Sequence, residues 1–318
     1  MIPPLAWWTL AIFIAADLAW LAISARHFAP SNFWLLGQST VIFGGIFFLP
    51  KAVSFRLSGD NSRISNFIRI YSERVTRFLA ALFFTLGFGF AGCTFTYLTA
   101  SLSRPLLDAD LAHMDERIGF NWLALLELTN SHSWVSTLLV AAYHSAAPQL
   151  IGLYLLLAFT DRAERMAEFL SLFVITFLIV AVIYALVPAA GAFAYYQPAQ
   201  HLFSNFSPDA GMWHYEALQA LRSQTDTTLD LSKVQGLVTF PSFHTNLAII
   251  TAYAVRDIRF FAVPVTILNG IVIVATLPEG GHYLVDVLAG AVIAASCIAF
   301  FRSKYSGKIF GQRPYASV

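Results

Sequence analysis

Eight long apolar segments dominate this sequence and restrict what the chain can fold into. They cover approximately residues 5–23, 33–50, 78–100, 133–159, 169–190, 243–255, 260–278 and 283–301. Most approach the roughly 20 residues that an α-helix needs to cross the hydrocarbon core of a bilayer. Only 12% of the residues are charged, whereas soluble domains carry about 25%. The sequence therefore predicts an all-α polytopic integral membrane protein, a helical bundle of about eight transmembrane helices, and gives no case for nucleic acid binding.

Two short motifs, at 239–244 and 280–286, place a histidine where a polar loop enters an apolar segment. Asp286 follows His282 by four residues, which puts both side chains on one face of a helix. Ionisable groups are costly in a membrane unless they serve a site. Together with His244 they are the minimal parts for covalent phosphoryl transfer, namely a nucleophile, the group that orients it and an acid for the leaving oxygen. A transporter that relays protons through the same three groups is the alternative from another class.

Basic residues are distributed unevenly between the loops. Of the 19 Lys and Arg residues, 6, 2, 2 and 4, or 14 in total, lie respectively in the stretches 51–77, 161–168, 256–259 and 302–318. Short cytoplasmic loops are enriched in Lys and Arg. We therefore expect an integral protein of the bacterial inner membrane with both termini in the cytoplasm. The site containing His244 and His282 would then face the periplasm or the outside.

Three connecting stretches have their own character. In segment 60–77, arginines alternate with apolar residues. This pattern is typical of a helix that lies on an anionic leaflet, and it is equally typical of a basic loop that only fixes the topology. On the opposite side the loops 101–132 and 191–240 are long, and loops of this length are usually functional or disordered. The second is rich in aromatic residues, which favours an ordered cap at the membrane interface.

Polar residues within the apolar segments are further candidates for a site. Asp17 lies in the middle of the first segment, and His144 and Gln149 flank Pro148 in the fourth. We expect Pro148 to kink its helix. For His144 we expect a role in helix packing rather than contact with a substrate.

The motifs resemble those of a known family. Pro241-Ser242-Phe243-His244 and His282-Tyr283-Leu284-Val285-Asp286 are similar to the second and third signature motifs of the type 2 phosphatidic acid phosphatase superfamily. With residues 287–290 added, the third motif is most similar to the inositol phosphorylceramide synthase-like branch. Segment 115–122 resembles an Asp-x-x-Leu-Gly-Phe-Asp-Trp pattern of the same branch. The resemblance covers approximately residues 75–301.

This resemblance implies a domain organisation and an activity. It implies a six-helix catalytic membrane domain over 75–301, preceded by two helices and a basic cytoplasmic segment in 1–74 and followed by a basic cytoplasmic tail, 302–318. The implied activity is a phosphotransferase that moves a phospho-alcohol headgroup from a phospholipid donor to a hydroxylated lipid. A lipid phosphatase, with water as the acceptor, is the runner-up. Neither reaction is expected to need a metal or another cofactor.

The resemblance also implies roles for the three ionisable residues. His282 is the implied nucleophile that forms a phosphohistidine. Asp286 would accept a hydrogen bond from its other ring nitrogen and stabilise the positive charge that the ring gains. His244 would protonate the departing oxygen and later activate the acceptor hydroxyl.

The phosphate-binding residues are less well defined. Phosphatases of the superfamily carry Lys and Arg at two positions that Tyr97 and Thr276 occupy here. The remaining candidates are the Ser242 hydroxyl, the free N–H groups at the start of its helix, and the cations on the outer side, namely Arg104, Arg117 and Lys233. A phosphodiester carries one negative charge rather than nearly two. The missing cations therefore fit a phospholipid donor better than a phosphomonoester.

Overall fold

The computed structural model describes residues 2–223, 227–232 and 234–309 of the chain. Within these residues helices dominate, and the only regular strands are two pairs of residues. This confirms the all-α class. In chain order the elements are α1 Pro4–Ile23, β1 His27–Phe28, α2 Pro30–Arg56, α3 Arg63–Ala100, α4 Asp108–Arg117, α5 Trp122–Asn130, α6 Ser133–His144, α7 Ala146–Phe159, α8 Ala163–Leu186, α9 Ala192–Tyr196, a 3-10 turn Gln200–Leu202, α10 Tyr215–Arg222, β2 Thr228–Leu229, α11 Phe243–Ala254, α12 Arg259–Ala275 and α13 Leu284–Ile309.

All eight apolar segments form helices, but they differ in length. In the described part of the chain five of them, α1, α2, α3, α8 and α13, are long and apolar enough to cross a membrane. The pair α6 and α7, bent by 52°, makes a sixth if it is one span. Helices α11 and α12, of 12 and 17 residues, are shorter than the roughly 20 residues that a full crossing needs. Five or six of the eight expected spans therefore meet that length.

The bend of 52° between α6 and α7 arises where the sequence suggested a kink, within one helical turn of Pro148. The first helix ends at His144 and the second begins at Ala146, so the break precedes Pro148. Pro148 has no N–H to donate to the carbonyl of His144, four residues earlier, and its ring would clash with that carbonyl in a continuous helix. The expectation that Pro148 kinks this apolar segment is therefore confirmed.

The basic segment 60–77 belongs to a longer element than expected. Residues from Arg63 onwards are the first turns of α3, a helix of 38 residues. Ser62 caps this helix by accepting a hydrogen bond from the N–H of Ser65, and Asp60 accepts hydrogen bonds from both serine side chains. The segment is therefore neither a loop nor a separate helix, and the division at residues 74 and 75 falls inside α3.

Helix α8 is the centre of the bundle and contacts α1, α3, α7, α11 and α13. Phe88 of α3 is fully buried and meets Phe13, Phe173 and Phe177 edge to face. Between helices in lipid, such close packing rather than removal from water provides most of the attraction. Helix α2 is less buried than the other long apolar helices. None of the residues in its apolar membrane-crossing stretch is buried, and its main neighbour is α3.

The two long loops are folded into a cap over one end of the bundle. The first contains α4 and α5, and the described part of the second contains α9, the 3-10 turn, α10 and β2. Strand β2 pairs in parallel with β1, between α1 and α2. The side chain of Asn32 reinforces the pair by donating to the carbonyl of Leu229 at 2.6 Å and accepting from the N–H of Leu231 at 2.8 Å. The N-terminal helices are thereby tied to the cap.

Candidate active site

The first histidine motif starts a helix that is fastened to the second motif. Ser242 is the N-cap of α11, and its hydroxyl accepts the N–H of Thr245 at 3.3 Å. Its own N–H donates to the backbone carbonyl of Asp286 at 3.0 Å. A side chain at Gly290 would bring Cβ to 2.3 Å from the carbonyl oxygen of Ser242. Only glycine lets α13 approach this closely, so residue 290 sets the distance between the two motifs.

The second motif forms a short turn in which His282 and Asp286 meet. Nδ1 of His282 lies 3.2 Å from Oδ2 of Asp286, and the same oxygen accepts the N–H of Tyr283 at 2.9 Å. Both side chains are almost completely buried. The hydrogen bond occupies Nδ1 and leaves Nε2 as the ring nitrogen that can act on a substrate. Burial lowers the pKa of His282 to about 4, against the opposing effect of the Thr239 carbonyl. The ring is therefore neutral near pH 7, as a nucleophile must be.

Helices α4 and α5 hold this turn in place. The carboxylate of Asp115 accepts the N–H groups of Leu284 and Val285, at 2.8 and 2.9 Å, and so caps the start of α13. The indole N–H of Trp122 donates to the carbonyl of His282 at 3.1 Å. In the sequence, segment 115–122 was notable only for its resemblance to a family pattern. In the structure, it acts as a brace, because it holds the backbone at His282 and at the two residues that begin α13.

Asp108 is a second brace, and nothing in its sequence context pointed to it. Its carboxylate accepts the N–H groups of Ala190 and Gly191, at 2.9 and 2.8 Å, and the hydroxyl of Tyr283 at 3.1 Å. The side chain is buried, and buried carboxylates need such partners. Asp108 therefore joins the loop after α8 to the residue that follows His282.

Two glycines allow the cap to contact the turn that carries His282 directly. Gly211 and Gly281 have positive φ angles of 63° and 69°. A Cβ at Gly281 would lie 2.7 Å from Cα of Gly211, so the two backbones are in contact. The N–H of Gly211 donates to the carbonyl of Glu279 at 2.7 Å. The second glycine of the motif is thus required by tertiary packing.

His244 and His282 line one cavity of about 280 Å³. The ring of Tyr143 stacks on His244 with 4.6 Å between centroids. The rest of the wall comes from α3, α6, α8, the cap, the start of α11 and the turn before α13, and its residues are Cys93, Thr96, His144, Phe177, Trp213, His214, Gly236, Leu237, Val238, Thr239, Phe243 and Gly280. Burial lowers the pKa of His214 to about 4, and the ring faces the carbonyl of Ala190. Among the residues that the structure describes, no Lys or Arg lines this cavity.

The candidate phosphate-binding residues lie elsewhere. Arg104 is exposed and donates to the carbonyl of Ala185 at 2.8 Å, and Arg117 is exposed in the last turn of α4. Lys233 lies outside the described residues. The expectation that the N–H of Ser242 is free is wrong, because the carbonyl of Asp286 accepts it, and the buried Ser242 hydroxyl contacts Thr245. At the start of α11, the residues that line the cavity are Phe243 and His244.

His144 is placed differently from the expectation that it serves helix packing. It lines the cavity, and its Nε2 lies 2.9 Å from Oε1 of Glu279. Glu279 is fully buried and also accepts hydrogen bonds from the hydroxyl and N–H of Ser207. The sequence-based prediction did not include Glu279. It could have been found, because it is a carboxylate at the end of an apolar segment and only three residues before a candidate nucleophile.

Comparison with known proteins gives one match. A family model described as the PAP2 superfamily matches residues 109–300, which include both histidine motifs, the brace at 115–122 and His144. Searches of curated proteins and of solved structures find no match.

Proposed function

The chain belongs to the PAP2 superfamily, and from this premise we propose that it is a lipid phosphotransferase that acts through a phosphohistidine. Membership supports a lipid enzyme of the phosphatase or phosphotransferase type. The observation that carries the finer proposal is the hydrogen bond between His282 and Asp286 in a cavity that His244 shares. These three groups would move a phospho-alcohol headgroup from a phospholipid to a hydroxylated lipid.

In the first half-reaction Nε2 of His282 attacks the phosphorus of the donor. The new N–P bond forms as the P–O bond to the lipid alcohol breaks, and His244 gives its proton to that departing oxygen. The ring of His282 gains positive charge, which Asp286 stabilises through Nδ1. The donor leaves as a neutral alcohol.

In the second half-reaction an acceptor hydroxyl takes the position that the first alcohol left. His244 now removes the hydroxyl proton while the oxygen attacks phosphorus. The N–P bond breaks and its electron pair returns to the ring of His282. The departing alcohol and the attacking alcohol occupy the same position, on the side of the phosphorus opposite His282. One acid–base residue can therefore serve both steps.

The composition of the cavity wall bears on the donor. A phosphomonoester carries nearly two negative charges and needs several charge-assisted donors, whereas a diester carries one. The described wall contains imidazoles, hydroxyls and an indole but no Lys or Arg. This favours a phospholipid donor, and therefore transfer over release of inorganic phosphate. Hydrolysis of lipid phosphates remains the alternative that membership of the superfamily supports.

The test is product analysis with purified protein. Radiolabelled phospholipids with different headgroups would be supplied with and without ceramide or diacylglycerol, and the products would be separated by chromatography. The proposal expects a labelled lipid product that requires the acceptor and is absent with His282→Ala. Water-soluble phosphate formed equally well without an acceptor lipid would support the phosphatase instead.

A further inference from the structure

The cavity presents a difficulty for any phosphate that enters it, because the usual cations are missing. At the two positions where superfamily phosphatases have Lys and Arg, the side chains face elsewhere. The hydroxyl of Tyr97 accepts the N–H of Gln235 at 3.0 Å, and the hydroxyl of Thr276 donates to the carbonyl of Ile273 at 2.6 Å. An anion bound among these largely buried side chains still needs charge-assisted donors. Another group has to provide them.

One pair of side chains in the wall is not used by the proposed chemistry. Glu279, which is fully buried, faces Nε2 of His144 at 2.9 Å, while the side chain of His144 is 47% exposed. Ser207 holds the carboxylate through its hydroxyl and its N–H. The rings of His144 and Trp213 are nearly perpendicular, with 5.6 Å between their centroids. The acid is thus fixed behind the imidazole, and the imidazole is the partner that reaches the cavity.

The second nitrogen of this imidazole is available. Nδ1 of His144 has no hydrogen-bond partner among the described residues, whereas Nε2 is directed at Glu279. A proton on both nitrogens gives an imidazolium whose charge the carboxylate balances and whose Nδ1–H can donate to an anion. The other ionisable side chains that line the cavity are those of Cys93, Tyr143, His214, His244 and His282.

We propose that His144, backed by Glu279, is the cationic anchor for the phosphate of the substrate. It would take the place of the missing Lys and Arg and donate from Nδ1 to a phosphoryl oxygen that does not react. This inference rests on the proposed function and adds a substrate-binding residue to it. A role for His144 as a second base is less suitable, because both alcohols occupy one position that His244 already serves.

Binding of inorganic phosphate to the full-length protein in detergent tests the anchor apart from catalysis. Titration calorimetry at one pH would compare the wild type with His144→Ala, His144→Lys and Glu279→Gln. The matched control is His113→Ala, which changes an exposed histidine on α4 that does not line the cavity. Size-exclusion profiles and melting curves would show that each variant is folded, and His144→Gln replaces any that is not.

The expected results follow from the charge on the anchor. His144→Ala should weaken phosphate binding by about 10- to 100-fold, the loss typical of one charge-assisted hydrogen bond. His144→Lys should recover most of the affinity, since lysine carries a positive charge. Glu279→Gln should weaken binding, because no carboxylate then balances the charge on the imidazolium, and His144→Gln should fall between Ala and wild type. The control should bind as the wild type does.

Two kinds of result would overturn the anchor. One is unchanged phosphate affinity in His144→Ala, or no recovery in a folded His144→Lys, because a structural role for the ring predicts no rescue by a cation. The other is a wild-type protein that turns over phospholipid yet does not bind phosphate. In both cases the proposed phosphotransferase activity would stand. Phosphate binding that depends on His144 without any lipid turnover would instead reject that activity and leave the anchor.

Discussion

At the scale of single residues, the two histidines of the proposed mechanism differ in what they do to phosphorus. His282 forms a covalent bond, so His282→Ala should abolish both turnover and a trapped phosphoenzyme. His244 moves only a proton, and such assistance is worth about 10²- to 10⁴-fold. With natural lipid His244→Ala should lose activity by that factor. It should still form phosphoenzyme from a nitrophenyl phosphoester, whose leaving group departs without an acid.

Acid–base treatment and mapping of the labelled residue would check this pair of variants. A phosphohistidine is labile in acid and stable in base. Asp286→Asn should have intermediate activity, because the amide keeps the ring oriented but cannot balance its positive charge. Label retained by His282→Ala, or found on another residue, would show that the nucleophile is wrongly assigned.

The buried environment of His282 leads to a prediction about pH. Burial lowers the pKa of this ring from 6.5 to about 4, so the neutral nucleophilic form is present throughout the range above about pH 4. Phosphoenzyme formation from the nitrophenyl donor should therefore be nearly constant between pH 7 and 5. Measuring it in His244→Ala removes the proton-transferring imidazole from the profile, and a saturating concentration of the donor removes the effect of binding, to which His144 would contribute. A rate that falls about tenfold or more over this interval would mean that His282 titrates like a free histidine.

At the scale of elements, the site depends on how closely α11 and α13 approach. A Cβ at Gly290 would lie 2.3 Å from the backbone carbonyl of Ser242, and a backbone atom cannot move aside as a flexible side chain does. Gly290→Ala should push the two helices apart and separate His244 from His282. We expect at least a tenfold loss of turnover, the order of effect that a displacement of about 1 Å can cause.

Gly270 in α12 provides the matched control, because a Cβ there would meet nothing within 4 Å. Gly270→Ala should keep full activity and should raise stability slightly, by up to ~1 kcal/mol, since alanine favours a helix. Turnover and thermal melting of the two variants would be compared in the same detergent. Equal activity in both would mean that the helix contact at residue 290 does not control the site.

At the scale of the whole molecule, the distribution of basic residues predicts the orientation in the membrane. With 14 of the 19 Lys and Arg residues on one side, the cap and the cavity beneath it should face away from the cytoplasm. In a background without Cys93 and Cys297, a cysteine in Ser223→Cys should react with an impermeant thiol reagent added outside intact cells. One in Ser58→Cys, between α2 and α3, should react only after lysis. The reverse pattern would place the site on the cytoplasmic side.

The sequence by itself determined what depends on local pattern. The apolar segments predicted the membrane class and the helical structure of each segment, because hydropathy acts over a single helix length, although five or six of them are long enough to be spans in the described part of the chain. The four-residue spacing of His282 and Asp286 predicted their contact. His282, however, lies in the turn just before α13 and not on a face of the helix itself. The same motif pair indicated the superfamily to which the chain belongs.

Only the tertiary structure decided which distant residues surround that pair. Trp122 and Asp115 reach the turn that carries His282 from more than 150 positions away, and His144 meets Glu279 across 135 positions. Local pattern carries no information on such meetings, since they follow from how the helices and the cap pack as a unit. The candidate cations Arg104 and Arg117 failed to reach the cavity for this reason. A charged side chain is visible in the sequence, but the direction in which the fold turns it is not.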